Sequence, residues 1–195
     1  MMNSYYLDKK NLEIIGREFS KIKIIRLEGF IEENLYETLK REIGKNKFSH
    51  KKVPDKFSFS ESKNSKLTNQ ILGSPELEYI VQNIIKKSVK VSGIKTKKFS
   101  HKNYAIIKDE PNKKEELEFF FFICESWNPI WGGNKALIKK EKTFVFPPGG
   151  NSFILAQKEK DAKEFTQYVN NLSTNRSFII IEGKLNAPAI SSTPS

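Results

Sequence analysis

A change of hydrophobic period at Gly93 constrains this chain more than any other feature. Before it, apolar residues recur at helical spacing. After it, short strand-forming stretches follow one another with turn residues between them and no helical period. The strand candidates lie near residues 94–107, 117–125, 135–139, 142–146, 152–157, 165–169 and 176–182. Pro111-Asn112, Asn128-Pro129, Gly132-Gly133, Pro147-Pro148-Gly149-Gly150, Asn170-Asn171 and Asn175 separate them. Strands in that rhythm argue for a sandwich or barrel rather than a parallel sheet with crossover helices. The length, 195 residues, is that of one average domain, and 15 phenylalanines suit an aromatic β core.

The first half reads as a lead-in. Leu7, Leu12, Ile14, Ile15 and Phe19 recur at helical spacing, residues 22–27 read as a strand, and Gly29-Phe30-Ile31 leads to a second helical pattern of Leu35, Leu39 and Ile43 that stops at Gly44. Residues 45–66 are polar without a clear period and read as a long loop or lid. Pro75 opens a third helix carrying Leu77, Ile80, Val81, Ile84 and Ile85, with Gly93 closing the segment. The expected division is a helical lead-in with one strand at 1–93, packed on a β core at 94–185, and a disordered tail at 186–195.

The longest uninterrupted apolar run, 119–124, is six residues against the ~20 that span a bilayer, and the opening residues lack the apolar stretch of a secretory signal. The expectation is a cytoplasmic protein with no membrane span. A single cysteine, Cys124, makes no intramolecular disulfide and reads as core. The net charge is +11, yet of 34 basic residues only four are arginine, leaving 30 lysines. Base readout and phosphate clamping favour arginine, so the charge reads as a solvated lysine surface and nucleic acid is not the expected partner.

Helices followed by a β region with the ordered landmarks Trp127, Gly132-Gly133, Pro147 to Asn151 and Arg176-Ser177-Phe178-Ile179 resemble the iron- and 2-oxoglutarate-dependent dioxygenases, within them the prolyl-4-hydroxylase-like branch. The resemblance covers residues 94–183 in detail, and residues 7–45 look like that branch's lead-in. It implies a mainly β fold with N-terminal helices, a double-stranded β-helix or jelly roll.

The resemblance also implies a facial triad of two histidines and one carboxylate, with open positions for 2-oxoglutarate and oxygen. This chain has two histidines, His50 and His101. With Tyr104 as the aromatic that precedes the first ligands, the His-x-Asp pair falls on Ile107-Lys108-Asp109 or on Lys108-Asp109-Glu110. Neither register supplies a histidine; the first keeps Asp109 and the second keeps Glu110. The distal histidine falls on Lys163, whose ammonium offers no lone pair and would repel Fe(II). His101 lies some 20 Å from position 107 along an extended strand, and His50 stands in the polar stretch, so both read as solvated.

Arg176 does match: the family's arginine there pairs bidentately with the distal carboxylate of 2-oxoglutarate. The implied geometry is a guanidinium pointing into the roll from the final strand, against a bound anion or a compensating Glu164 or Glu182. Two functional classes follow. In the first, favoured by these residues, the fold persists as a pseudoenzyme, a binding or interaction module. Its pocket takes a dicarboxylate such as 2-oxoglutarate on Arg176, Lys108 and Lys163, without metal, and its partner is a small dicarboxylate or a protein. The alternative is an active 2-oxoglutarate-dependent oxygenase with a non-standard metal site, built from Asp109 or Glu110 with Glu164 or Asp161.

Overall fold

The computed structural model describes residues 1–106, 115–139 and 142–186. Helix α1 (Lys9–Ile22) starts where the Asp8 carboxylate accepts the Asn11 N–H and stops where Lys23 turns left-handed; it buries Leu12, Ile15 and Phe19. Strand β1 (Ile24–Glu28) follows, then α2 (Glu33–Gly44), which buries Tyr36, Leu39 and Ile43. These elements agree with the spacing of their apolar residues, except that Ile22 ends α1 instead of opening the strand and Ile14 is exposed.

Residues 45–66 do not form a loop. They build a hairpin, β2 (Ser49–Val53) and β3 (Phe57–Ser62), and lead into a short helix α3 (Lys66–Leu72). Every residue of β2 is exposed, since it pairs only with β3, so no alternation marks it. In β3 the adjacent residues Ser58 and Phe59 are both buried, which also hides the period of two. Helix α4 (Pro75–Ile85) begins as read, with Ser74 capping the Leu77 N–H and Pro75 in the first turn. It ends on left-handed Lys86, and Gly93, read as closing the segment, lies inside the next strand.

The remaining strands are β4 (Lys90–Ser100), β5 (Tyr104–Ala105), β6 (Glu116–Ile123), β7 (Lys135–Lys139), β8 (Lys142–Phe146), β9 (Ser152–Lys158), β10 (Lys163–Thr166) and β11 (Ser177–Asn186). The strand expected near 165–169 is shifted towards Lys163. Val169 leaves the ladder because its backbone bonds the turn after β4, accepting from Lys102 and donating to Asn103, each at 2.9 Å. The tail from residue 187 lies outside the described residues.

All pairings are antiparallel, in the order β1-β9-β6-β11-β4-β3-β5-β10-β7-β8, with β2 on β3. Strand β3 pairs with β4 through Ser60, Glu61 and Ser62 and with β5 through Phe57 and Ser58, so it bridges two walls. Among the described residues the jelly roll is thus one curled sheet of eleven strands. One wall turns Phe119, Phe121, Phe153, Leu155 and Ile181 towards the helices. Its other face turns Phe120, Phe122, Phe99, Phe178 and Ile180 inward, against Leu137, Phe144 and Phe146 of the opposite wall. Strand β6 is buried on both faces, which is why Phe119 to Cys124 reads as an unbroken apolar run.

Candidate functional site

Side chains alternate along a strand, so the residues two before or after an inward phenylalanine or isoleucine also face the interior. At one end of the roll those positions are charged: Lys97 on β4, Glu118 on β6 and Glu182 on β11, while Lys158 on β9 stands two residues beyond inward Ala156 and Glu164 on β10 two before buried Thr166. Lys135 of β7 reaches the same place with only 3% of its surface exposed. Three lysines and three glutamates therefore converge inside the roll, where an ion without a partner would be costly.

Each ion is paired. Lys97 Nζ lies 2.5 Å from Glu182 Oε2, and Lys158 Nζ lies 2.6 Å from Glu118 and 3.3 Å from Glu164. Lys135 Nζ stands 3.6 Å from Glu164 and 3.7 Å from Glu182, with the Phe120 ring centroid at 4.5 Å. At the rim Lys184 pairs with Glu116 at 3.1 Å. Burial opposes the charge of Lys135, but Glu164, Glu182 and Glu118 outweigh it and hold the ammonium above the ordinary lysine value. Lys158 behaves likewise, burial being outweighed by Glu164 and Glu118. Burial also works against Glu182, yet Lys135 and Lys97 bring its carboxyl below the usual range. Glu118 goes the other way: burial and then the charge of Glu164 push it up despite Lys158.

A cavity of about 300 Å³ opens over this network, and Lys95 and Lys163 also line it. Lys97, Lys135, Lys158 and Lys184 are matched by Glu116, Glu118, Glu164 and Glu182. Lys95 and Lys163 are paired with no carboxylate of the described residues, so an approaching ligand meets a positive rim over a neutralised floor.

The residues expected from the sequence fall in different places. Ile107, Lys108, Asp109 and Glu110 lie outside the described residues. Lys163 opens β10 at the cavity but is exposed; its neighbour Glu164 turns inward, because a one-residue difference in register reverses the face. Asp161 is exposed. Arg176 does not enter the roll. It is exposed, its Nη1 donates to Ser126 Oγ at 2.8 Å, and its guanidinium lies over Trp131 at 5.3 Å. Neither Glu164 nor Glu182 compensates it; both serve the lysine network.

The sequence reading missed Lys97, Glu118, Lys135 and Lys158. The available signal was charge at strand positions of the same parity as the apolar residues, as in Glu118-Phe119-Phe120. Cys124 is core as read, and burial pushes its thiol up to about 11.

The iron triad implied by the resemblance is not supplied by the described residues. They contain no group of three His, Cys, Asp or Glu suited to a metal ion. His50 lies on exposed β2, and His101 lies in the turn after Ser100, which pairs with Ser177 at the end of β11 remote from Glu182. No helix among the described residues is long and apolar enough to cross a membrane.

The fold is that of the 2-oxoglutarate–Fe(II) oxygenases of prolyl-hydroxylase type. A Pseudomonas putida prolyl-4-hydroxylase superimposes with a TM-score of 0.68 at 9% identity, covering 90% of this chain and 98% of that one. A 2OG-Fe(II) oxygenase family oxidoreductase from Burkholderia pseudomallei gives 0.67 at 8% identity, with 90% of each chain covered. A Trichoplax adhaerens prolyl hydroxylase, in complex with a peptide fragment of the hypoxia inducible factor oxygen degradation domain, gives 0.66 at 11% identity, covering 90% and 89%. No family model and no curated protein sequence matches the chain.

Proposed function

We propose that this chain keeps the roll of the 2-oxoglutarate–Fe(II) oxygenases without their iron chemistry and acts as a binding module, taking a small dicarboxylate at the mouth of the roll. The observation that carries the reading is the buried Lys135 ammonium between Glu164 and Glu182, with Lys97 and Lys158 beside it. A divalent cation entering there would meet three ammonium groups whose carboxylates are already engaged. An anion instead meets Lys95 and Lys163 at the rim.

Anaerobic loading with Fe(II) followed by metal analysis, paired with calorimetric titration of 2-oxoglutarate, tests the reading. The expected result is no stoichiometric iron and weak, millimolar binding of 2-oxoglutarate that Lys163→Gln reduces. Stoichiometric iron together with consumption of 2-oxoglutarate would overturn it in favour of an oxygenase.

A further inference from the structure

Arg176 belongs to a second cavity, on the helix-facing side of the sheet and outside the roll. We propose that this cleft binds a doubly charged oxyanion, the phosphoryl group of a phosphomonoester. Three cations from separate elements line a space of about 510 Å³: Lys40 of α2, Lys98 of β4 and Arg176 just before β11. Each is laid over an aromatic ring. Lys40 Nζ lies 5.7 Å from the centroid of Tyr36, Lys98 Nζ 5.6 Å from that of Phe48, and the Arg176 guanidinium carbon 5.3 Å from that of Trp131. Such contacts orient a cation without neutralising it.

Lys40 also pairs with Glu37 at 2.7 Å. Among the described residues no carboxylate pairs with Lys98 or Arg176, and the one acid in the lining, Glu125, is exposed and pairs with none of the three. Two cations without partners suit a phosphomonoester, which carries about −1.5 to −2 at neutral pH. Arginine presents a fork that matches phosphate oxygens, and its bond to Ser126 fixes one edge of that fork while Ser177 adds a second hydroxyl to the lining. Ile123, Ile179 and Phe48 add apolar surface to the lining, where a ring or chain attached to the phosphoryl group would lie. The site is independent of the roll mouth, so it stands or falls separately from the reading above.

Phenyl phosphate, inorganic phosphate and the monoanion dimethyl phosphate would be titrated by calorimetry against the native protein and Arg176→Gln, Lys98→Gln and Lys163→Gln, each first checked for native circular dichroism. Phenyl phosphate is expected to bind in the millimolar range or tighter, more strongly than inorganic phosphate and much more strongly than dimethyl phosphate. Arg176→Gln and Lys98→Gln should each weaken it about tenfold. The proposal is overturned by no saturable binding at about 10 mM, by equal binding of dimethyl phosphate, or by affinity that survives both cleft variants. Loss in Lys163→Gln alone would assign the anion to the roll mouth and overturn the cleft.

Discussion

Lys135 and Glu182 meet across the inside of the roll, Nζ 3.7 Å from Oε1, although they stand on β7 and β11, strands that share no hydrogen bond. The contact ties one wall to the other through a cation that belongs to the chain itself. Its side chain is buried and its ammonium rests over Phe120, so the charged tip is what has to be satisfied.

Lys135→Met keeps the stem's volume and removes the charge. Glu182 retains Lys97 and Glu164 retains Lys158, but both lose a buried cation. Breaking a buried pair from one side costs about 3–5 kcal/mol. In a chain of this size that is a fall in Tm of roughly 6–20 °C. Urea unfolding is the check; a loss under about 0.5 kcal/mol, the range of a surface change, would mean that the network does not join the walls.

Two of the interior glutamates, Glu182 and Glu118, should oppose each other in pH dependence. Glu182 titrates below its ordinary value of 4.5, so the stability it contributes is present above that value and is lost as pH falls through its folded value. Glu118 titrates above 4.5, so its contribution is complete below the ordinary value and is lost as pH rises through the folded one. At pH 7, Glu182→Gln is expected to cost about 3 kcal/mol and Glu118→Gln no more than about 1 kcal/mol. Denaturant midpoints of both variants at pH 7 and pH 4 test this: the deficit of Glu182→Gln should shrink at pH 4.

The architecture was legible because β strands with one buried face announce themselves by alternation and turns, and the strands at 135–139 and 142–146 have the bounds read from them. The β2–β3 hairpin was not, since a strand with both faces wet has no apolar period to show. The interior ions escaped for a related reason: Lys97 and Lys158 sit in a chain with 30 lysines, and only register separates a lysine inside the roll from one outside. Arg176 illustrates the limit of landmark order. Its place in the chain matches the motif, but it precedes β11 and its side chain leaves the strand's inward face for Trp131.

Asn151 fastens the helical lead-in to the roll. Its side chain accepts from the Ile31 N–H at 3.0 Å and donates to the Ile31 carbonyl at 2.8 Å, while its own carbonyl accepts from Phe30. It is 5% exposed and left-handed at φ +52°. Asn151→Ala strands two buried backbone groups and places a less tolerant residue at positive φ, a loss of about 3 kcal/mol. Asn151→Gly removes the hydrogen bonds without the conformational penalty and should lose about 1 kcal/mol less. Equal losses in thermal unfolding would show that the backbone conformation contributes nothing.

Gly132 is the position least able to change. Its φ of +79° and ψ of −151° fall where only glycine is stable, and a Cβ there would collide with the Tyr168 carbonyl oxygen. That approach is fixed from both sides, because Trp127 Nε1 donates to the Gly132 carbonyl at 2.9 Å and the Asn170 N–H donates to the Trp131 carbonyl at 2.9 Å. Gly132→Ala must therefore move backbone, and a loss of at least ~3 kcal/mol is expected. Gly44, at the end of α2, is the contrasting case: nothing lies within 4 Å of its added Cβ, so Gly44→Ala should gain about 0.5–1 kcal/mol from helix propensity alone. Chemical denaturation of the two variants side by side checks both signs. A Gly132→Ala protein as stable as the native one would mean that the turn leading into β7 is free to rearrange, and with it the position from which Lys135 reaches the other wall.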